Sequence, residues 1–232
     1  MSTMSDTRTA LLDAAERLFA EKGFAAVGVR EIVEHAGANL AAVKYHFGGK
    51  TALYEATVRR ALERRDHAEA WAVLEERATS RSDAAHRLTL FMHVMLQRLL
   101  RPAGSDVACK LILREAAEPT RMMSVVVDEF IRPYEQTLAD AIRTLEPALT
   151  DHERACAAQS VLGQLLHYRT YGPFLEFMGL GSMRDAANIS DIAGCIARFT
   201  LRGLGCSPEE ISIALDTAAV GAAAHAMHED TA

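Results

Sequence analysis

The stretch GVREIVEHAGANLAAVKYHFGGKTALYE, residues 28–55, concentrates the side chains that could do chemistry. Helical spacing turns Val43 and Phe47 inward and leaves Leu40, Ala41, Lys44 and Tyr45 facing out. A small, partly basic helix with such a face has the form of a reader of the DNA major groove. Bond-making chemistry has no comparable signature. The sequence holds no G-x-S-x-G, no H-E-x-x-H, no Gly-rich phosphate loop and no paired Cys/His set. No catalytic residue, cofactor or metal site is therefore expected. Cys109, Cys156, Cys195 and Cys206 are well separated, so reduced thiols are the ordinary reading and a redox sensor the alternative.

The elements that must position this face are legible as well. Val29, Ile32, Val33 and Ala36 make the inner face of a short helix. Ala36-Gly37-Ala38 then forms a tight corner, in which Gly37 can take the positive φ that a sharp turn needs. Asn39 is placed to cap the next helix through its side-chain oxygen. Upstream, Leu11, Ala14, Ala15, Leu18 and Phe19 share one face of a helix over about Thr7 to Lys22, with Gly23 as its stop. Downstream, a long helix starts near Lys50 and is expected to continue toward Glu76. From Ser82 onward about five more helices follow, one with the stripe Leu88, Phe91, Met92, Met95, Leu96 and Leu99. No period-two strand or hairpin signal interrupts them, so the fold class is all-α.

Charge is distributed unevenly. Residues 1–65 carry ten Lys/Arg against eight Asp/Glu, and the remainder fifteen against twenty-three. A locally positive head on an acidic body fits one end that touches phosphate. Half of the residues are hydrophobic, enough for a sizeable core, yet no apolar run reaches membrane-spanning length. The start MSTMSDTRTALLDAAERLF lacks the pattern of a signal peptide, and a cytoplasmic location with no membrane partner is expected.

The run GFAAVGVREIVEHAGANLAAVKYHFGGKTALY, with AAERLFAEKGF leading into it, resembles the signature of the tetracycline-repressor (TetR) family. Gly23, Phe24, Val29, Arg30, Glu31, Ile32, Ala36, Gly37, His46-Phe47, Lys50 and Leu53 match over residues 8–55. The segment NLAAVKYHFGGK is also similar to the subgroup of the antibiotic-sensitivity regulator CecR. The resemblance implies a helix-turn-helix DNA-binding domain over 1–65 and a helical ligand-binding and dimerisation domain over 66–232. It implies contacts from Arg30, Asn39, Lys44, Tyr45, His46 and Lys50 to phosphates or base edges, and from Leu40 and Ala41 to thymine methyls. Lys50 also stands at a helix start, where free N–H groups favour phosphate. Plainer roles stay open: Arg30 could pair with Glu34, Tyr45 could be a core aromatic, Leu40 a buried anchor, and His46 a packing residue. The family's usual threonines before the second helix are replaced by Val27 and Gly28, which removes a hydroxyl cap.

For the body, the resemblance implies a cavity among about six helices and a homodimer built on two late helices. Candidates are Thr150 to Phe177, with small residues at Ala155, Ala157, Ala158, Val161 and Gly163, and Ser190 to Leu204, with Ile192, Cys195, Ile196 and Phe199. Both stripes could instead face the chain's own core. Polar groups set among apolar ones make Arg114, Met122, Tyr134, His167 and Tyr171 the candidate ligand contacts, and Pro173 is expected to kink or end its helix. The partners implied are a palindromic double-stranded operator and a small-molecule effector, in the manner of a repressor. An activator, or a helical adaptor without DNA, is the alternative.

Overall fold

The computed structural model describes residues 3–63, 68–75, 78–100 and 107–229, and every described element is helical. In order these are α1 (Thr3–Ala26), α2 (Val29–His35), α3 (Leu40–Phe47), α4 (Lys50–Glu63), α5 (Ala68–Glu75) and α6 (Arg81–Leu99). They continue with α7 (Val107–Ala117), α8 (Met123–Val125), a π-helical turn (Val126–Ile131), α9 (Arg132–Leu145), α10 (Asp151–Phe177), α11 (Ala186–Gly203) and α12 (Pro208–Glu229). The expected continuation of the fourth helix toward Glu76 crosses residues 64–67 and 76–77, which lie outside the described residues.

The chain forms two compact units. The first comprises Met1–Arg65 together with Gly104–Phe130; the sequence reading assigns the second of these segments to the body. The reason is packing. α7 lies against both α1 and α4, and its Leu111 joins Leu11, Phe19, Ile32, Leu53 and Met122 in one buried core. Glycine sets the corners. Gly23 takes φ 80° and ends the regular part of α1, and Gly37 takes φ 61° between α2 and α3, conformations that residues with a Cβ avoid. Arg60 of α4 holds α1 through Asp13 and the buried Glu16, each at 2.8 Å. Paired in this way, a carboxylate can sit out of water.

The second unit comprises Asp66–Ala103 and Ile131–Ala232. α6 is its centre and packs against α5, α9, α10, α11 and α12, which is why its apolar stripe from Leu88 to Leu99 is buried. Caps fix the helix starts: Ser80 accepts from the Asp83 N–H, and Thr150 and Glu153 form a reciprocal capping box. Pro173 does not end α10, which runs on to Phe177. Arg81 ties the start of α6 to the α11–α12 corner by donating to Glu210 and to the carbonyl of Gly205.

Candidate nucleic-acid interface

α2 and α3 meet across the Ala36–Ala38 corner, closed by the Ala38 N–H donating to the Val33 carbonyl at 2.8 Å. Asn39 adopts extended backbone and its side-chain oxygen accepts from Ala42 N–H at 3.0 Å. α2 has no such help, since Gly28 stands at its cap position with no side-chain bond. Val43 seats α3 on the core. The opposite face is open: Leu40, Ala41, Lys44 and Tyr45 are exposed, Tyr45 to 72%. That exposure removes the readings of Tyr45 as a core aromatic and of Leu40 as a buried anchor. His46 is half-buried and its ring meets both Tyr45 and Phe47.

Arg30 is exposed on α2 and, among the described residues, has no ion pair with Glu34. The acid that pairs on this helix is Glu31, bound by Lys22, and this hydrogen bond holds the Glu31 carboxyl below its ordinary pKa. Lys50 opens α4 with its ammonium 4.4 Å from the centre of the Phe24 ring. Cation and ring attract, and desolvation there lowers the Lys50 pKa below the ordinary lysine value. Arg8 is an addition that sequence spacing does not reveal. It lies in the first turns of α1, exposed, with its guanidinium 5.2 Å from the ring of Phe47 at the end of α3. Only the fold brings residues 8 and 47 together.

The five candidate ligand contacts are divided between the two units. Arg114 and Met122 belong to the first unit, and Tyr134, His167 and Tyr171 to the second. Arg114 donates to the Glu21 carbonyl at the end of α1's regular part, where free carbonyls and the helix dipole attract a cation. Met122 is part of the first unit's core. Tyr134 stacks on Trp71 at 4.3 Å. His167 and Tyr171 stack on each other at 4.9 Å on an exposed face of α10. A cavity of about 460 Å³ does open in the second unit, lined by Leu74, Arg87, Thr137, Asp140, Arg143 and Thr144 among others. Its walls are more polar than the sequence reading expects, because α9 turns its charged face there.

The two candidate dimer stripes divide. Ala158 and Val161 of α10, and Ile192 and Ile196 of α11, are buried within the chain. Gly163 and Cys195 are exposed, and Phe199 is 72% exposed. Tyr171, Phe174 and Phe177 extend the exposed apolar face of α10, a feature the small-residue pattern does not flag. Among the described residues no group of three or more His, Cys, Asp or Glu is placed to hold a metal ion, and no helix is long and apolar enough to cross a membrane.

A capped, outward-facing second helix on a three-helix head defines a helix-turn-helix DNA-binding protein. The family model of bacterial regulatory proteins, tetR family, matches residues 11–57. That of the C-terminal domain of the HTH-type transcriptional dual regulator CecR matches residues 84–204, more than half of the chain. The chain belongs to the TetR family of transcriptional regulators, with a C-terminal domain of the CecR type. Solved structures agree in fold. SmeT in complex with triclosan aligns at 21% identity and TM-score 0.56, over 85% of this chain and 90% of that one. The TetR family protein CprB from S. coelicolor A3(2) aligns at 18% and 0.57, over 93% and 98%. A gamma-butyrolactone receptor (ArpA-like protein) gives 18% and 0.57 over the same shares. A search among curated proteins finds no match.

Proposed function

We propose that this DNA-binding regulator acts as a homodimeric repressor that holds a palindromic operator and is released by a small-molecule effector. The observation that carries the reading is the open face of α3, where Leu40, Ala41, Lys44 and Tyr45 are exposed beyond a capped N-terminus. Arg30, Asn39, His46 and Lys50 flank that face and serve as its backbone contacts, with Arg8 beside them. A lone head covers half of a site. Two copies related by a two-fold axis read an inverted repeat, and the exposed aromatic face of α10 with Phe199 of α11 is the surface on which they pair.

The effector is a small amphipathic molecule with hydrogen-bonding groups, taken into the cavity lined by Arg87, Thr137, Asp140 and Thr144. Structural neighbours include a complex with triclosan and a gamma-butyrolactone receptor, both small molecules. Release requires the effector to bind the DNA-incompetent arrangement more tightly; equal affinity for both shifts nothing. A second reading is favoured by the matching C-terminal model, which describes a dual regulator: the same protein activates where its site lies differently relative to the promoter. Binding-site selection from random DNA, followed by a compound screen for release of the selected duplex, tests the proposal. Recovery of no inverted repeat refutes the dimeric operator.

A further inference from the structure

The first unit contains a buried polar group that the DNA-binding face does not itself use. Glu115 of α7 is 2% exposed. One carboxylate oxygen accepts from the Tyr54 hydroxyl at 2.8 Å. The other accepts from the Thr120 N–H at 2.6 Å and its hydroxyl at 2.8 Å. Tyr54 of α4 is equally buried, and desolvation and the bond to Glu115 together push its pKa well above the ordinary tyrosine value. Its ring lies edge-on to Phe19 at 5.0 Å and against Phe24 at 4.9 Å. Phe24 in turn is the ring over which the Lys50 ammonium sits.

We propose that Glu115 is a positioning residue for DNA binding: through Tyr54 and Phe24 it fixes where the Lys50 ammonium stands. The chain of contacts supports this step by step. Tyr54 lies one helical turn after Lys50 on α4, so both side chains project from the same face. The Tyr54 ring packs against Phe19 and Phe24, and the hydroxyl bond to a fixed carboxylate anchors the far end of that ring. Glu115 is itself fixed, because Thr120 holds its second oxygen. The ring of Phe24 then lies between the Tyr54 ring, 4.9 Å away, and the Lys50 ammonium at 4.4 Å. A carboxylate 61 positions away in sequence thereby sets the geometry of a phosphate contact. The inference rests on the reading of Lys50 as that contact.

The test is a cycle of Tyr54→Phe and Lys50→Ala in the full-length protein, with affinity for the selected duplex measured across a salt series. Removing one phosphate contact lowers the log–log salt slope by about one unit. Lys50→Ala alone is expected to do so. Tyr54→Phe is expected to weaken binding by about tenfold, the size of one lost bond to a charged group, and to lower the slope by a similar amount. In the double variant Lys50→Ala adds little to Tyr54→Phe, since the contact is already lost. A slope unchanged in Lys50→Ala overturns the Lys50 contact, and the positioning role with it. A reduced slope there but an unchanged one in Tyr54→Phe, or additive losses in the double variant, overturns the positioning role alone. Tyr54→Phe also leaves one Glu115 oxygen unpaired, so Tyr54→Phe/Glu115→Gln separates stability from positioning. Its melting temperature is expected to recover from that of Tyr54→Phe while the slope stays low. A slope that recovers with the melting temperature assigns Glu115 to stability only and overturns the proposal.

Discussion

Replacing Asn39 separates the two things that one side chain can do at the start of the recognition helix. In the structure its oxygen accepts from the Ala42 N–H at 3.0 Å, and α3 is only eight residues long. A helix of two turns has little internal stability of its own, so packing through Val43 and the Asn39 cap order it together. Loss of an Asn cap to Ala costs about 1 kcal/mol, and to Gly only a few tenths. For a unit of this size, about 1 kcal/mol corresponds to a fall in Tm of roughly 4–8 °C. If α3 must re-form to bind, the same cost appears as about a fivefold loss of affinity for every DNA sequence alike. Asn39→Asp keeps the cap but sets a negative charge toward phosphate. It should hold the Tm and lose affinity, most steeply at low salt. Calorimetry on the three variants, with fluorescence anisotropy on labelled duplex, reads both quantities. Equal Tm values for the Ala and Gly variants would refute the capping argument. Unchanged affinity in the Asp variant would remove Asn39 from the DNA contact surface.

Two further outcomes follow from burial. Ile196 is 4% exposed and Phe199, three positions on, is 72% exposed. Phe199→Glu should therefore give a folded monomer by sedimentation and lose operator binding, whereas Ile196→Glu should unfold the second unit; the reverse would place the pairing surface elsewhere. His93 is buried, and desolvation lowers its pKa while its ring nitrogen donates to the Thr89 carbonyl at 3.0 Å. With the folded value below the unfolded one of about 6.5, its contribution is complete above that pH and is lost as pH falls toward the folded value. Urea midpoints at pH 7 and pH 5 should differ by less in His93→Leu than in wild type. An equal pH dependence would exclude His93 as a source of acid sensitivity.

The head was readable in sequence because its determinants are local. Gly37 needs only its neighbours to make a corner, Asn39 caps a helix three residues on, and Val43 declares its inward face by spacing. Arg8 and the partners of Glu115 were not readable, for two physical reasons. Arg8 meets Phe47 only through folding. Glu115 reads in LILREAAEPT as a polar group set among apolar ones, and nothing in that run announces that Tyr54 and Thr120 are its partners. Arg114, its neighbour, has the look of a pocket residue, yet the same embedding of a cation among apolar side chains serves to close a helix end. In the body, helical periodicity shows that α11 has an apolar stripe. It does not say that Ile192 and Ile196 turn toward the chain's own core while Phe199 turns away, because both lie within one stripe.

The head's two-part construction bears on how it is made and exchanged. Residues 1–65 leave the ribosome long before 104–130, so for that interval α1 and α4 lack the helix that covers them. Completion of the DNA-binding unit waits until α6 has been synthesised as well. A chimera that transplants only the first sixty-five residues onto another regulator's body would carry Tyr54 without Glu115. It would inherit the letters of the reading helix and leave behind the carboxylate proposed to set the stance of Lys50.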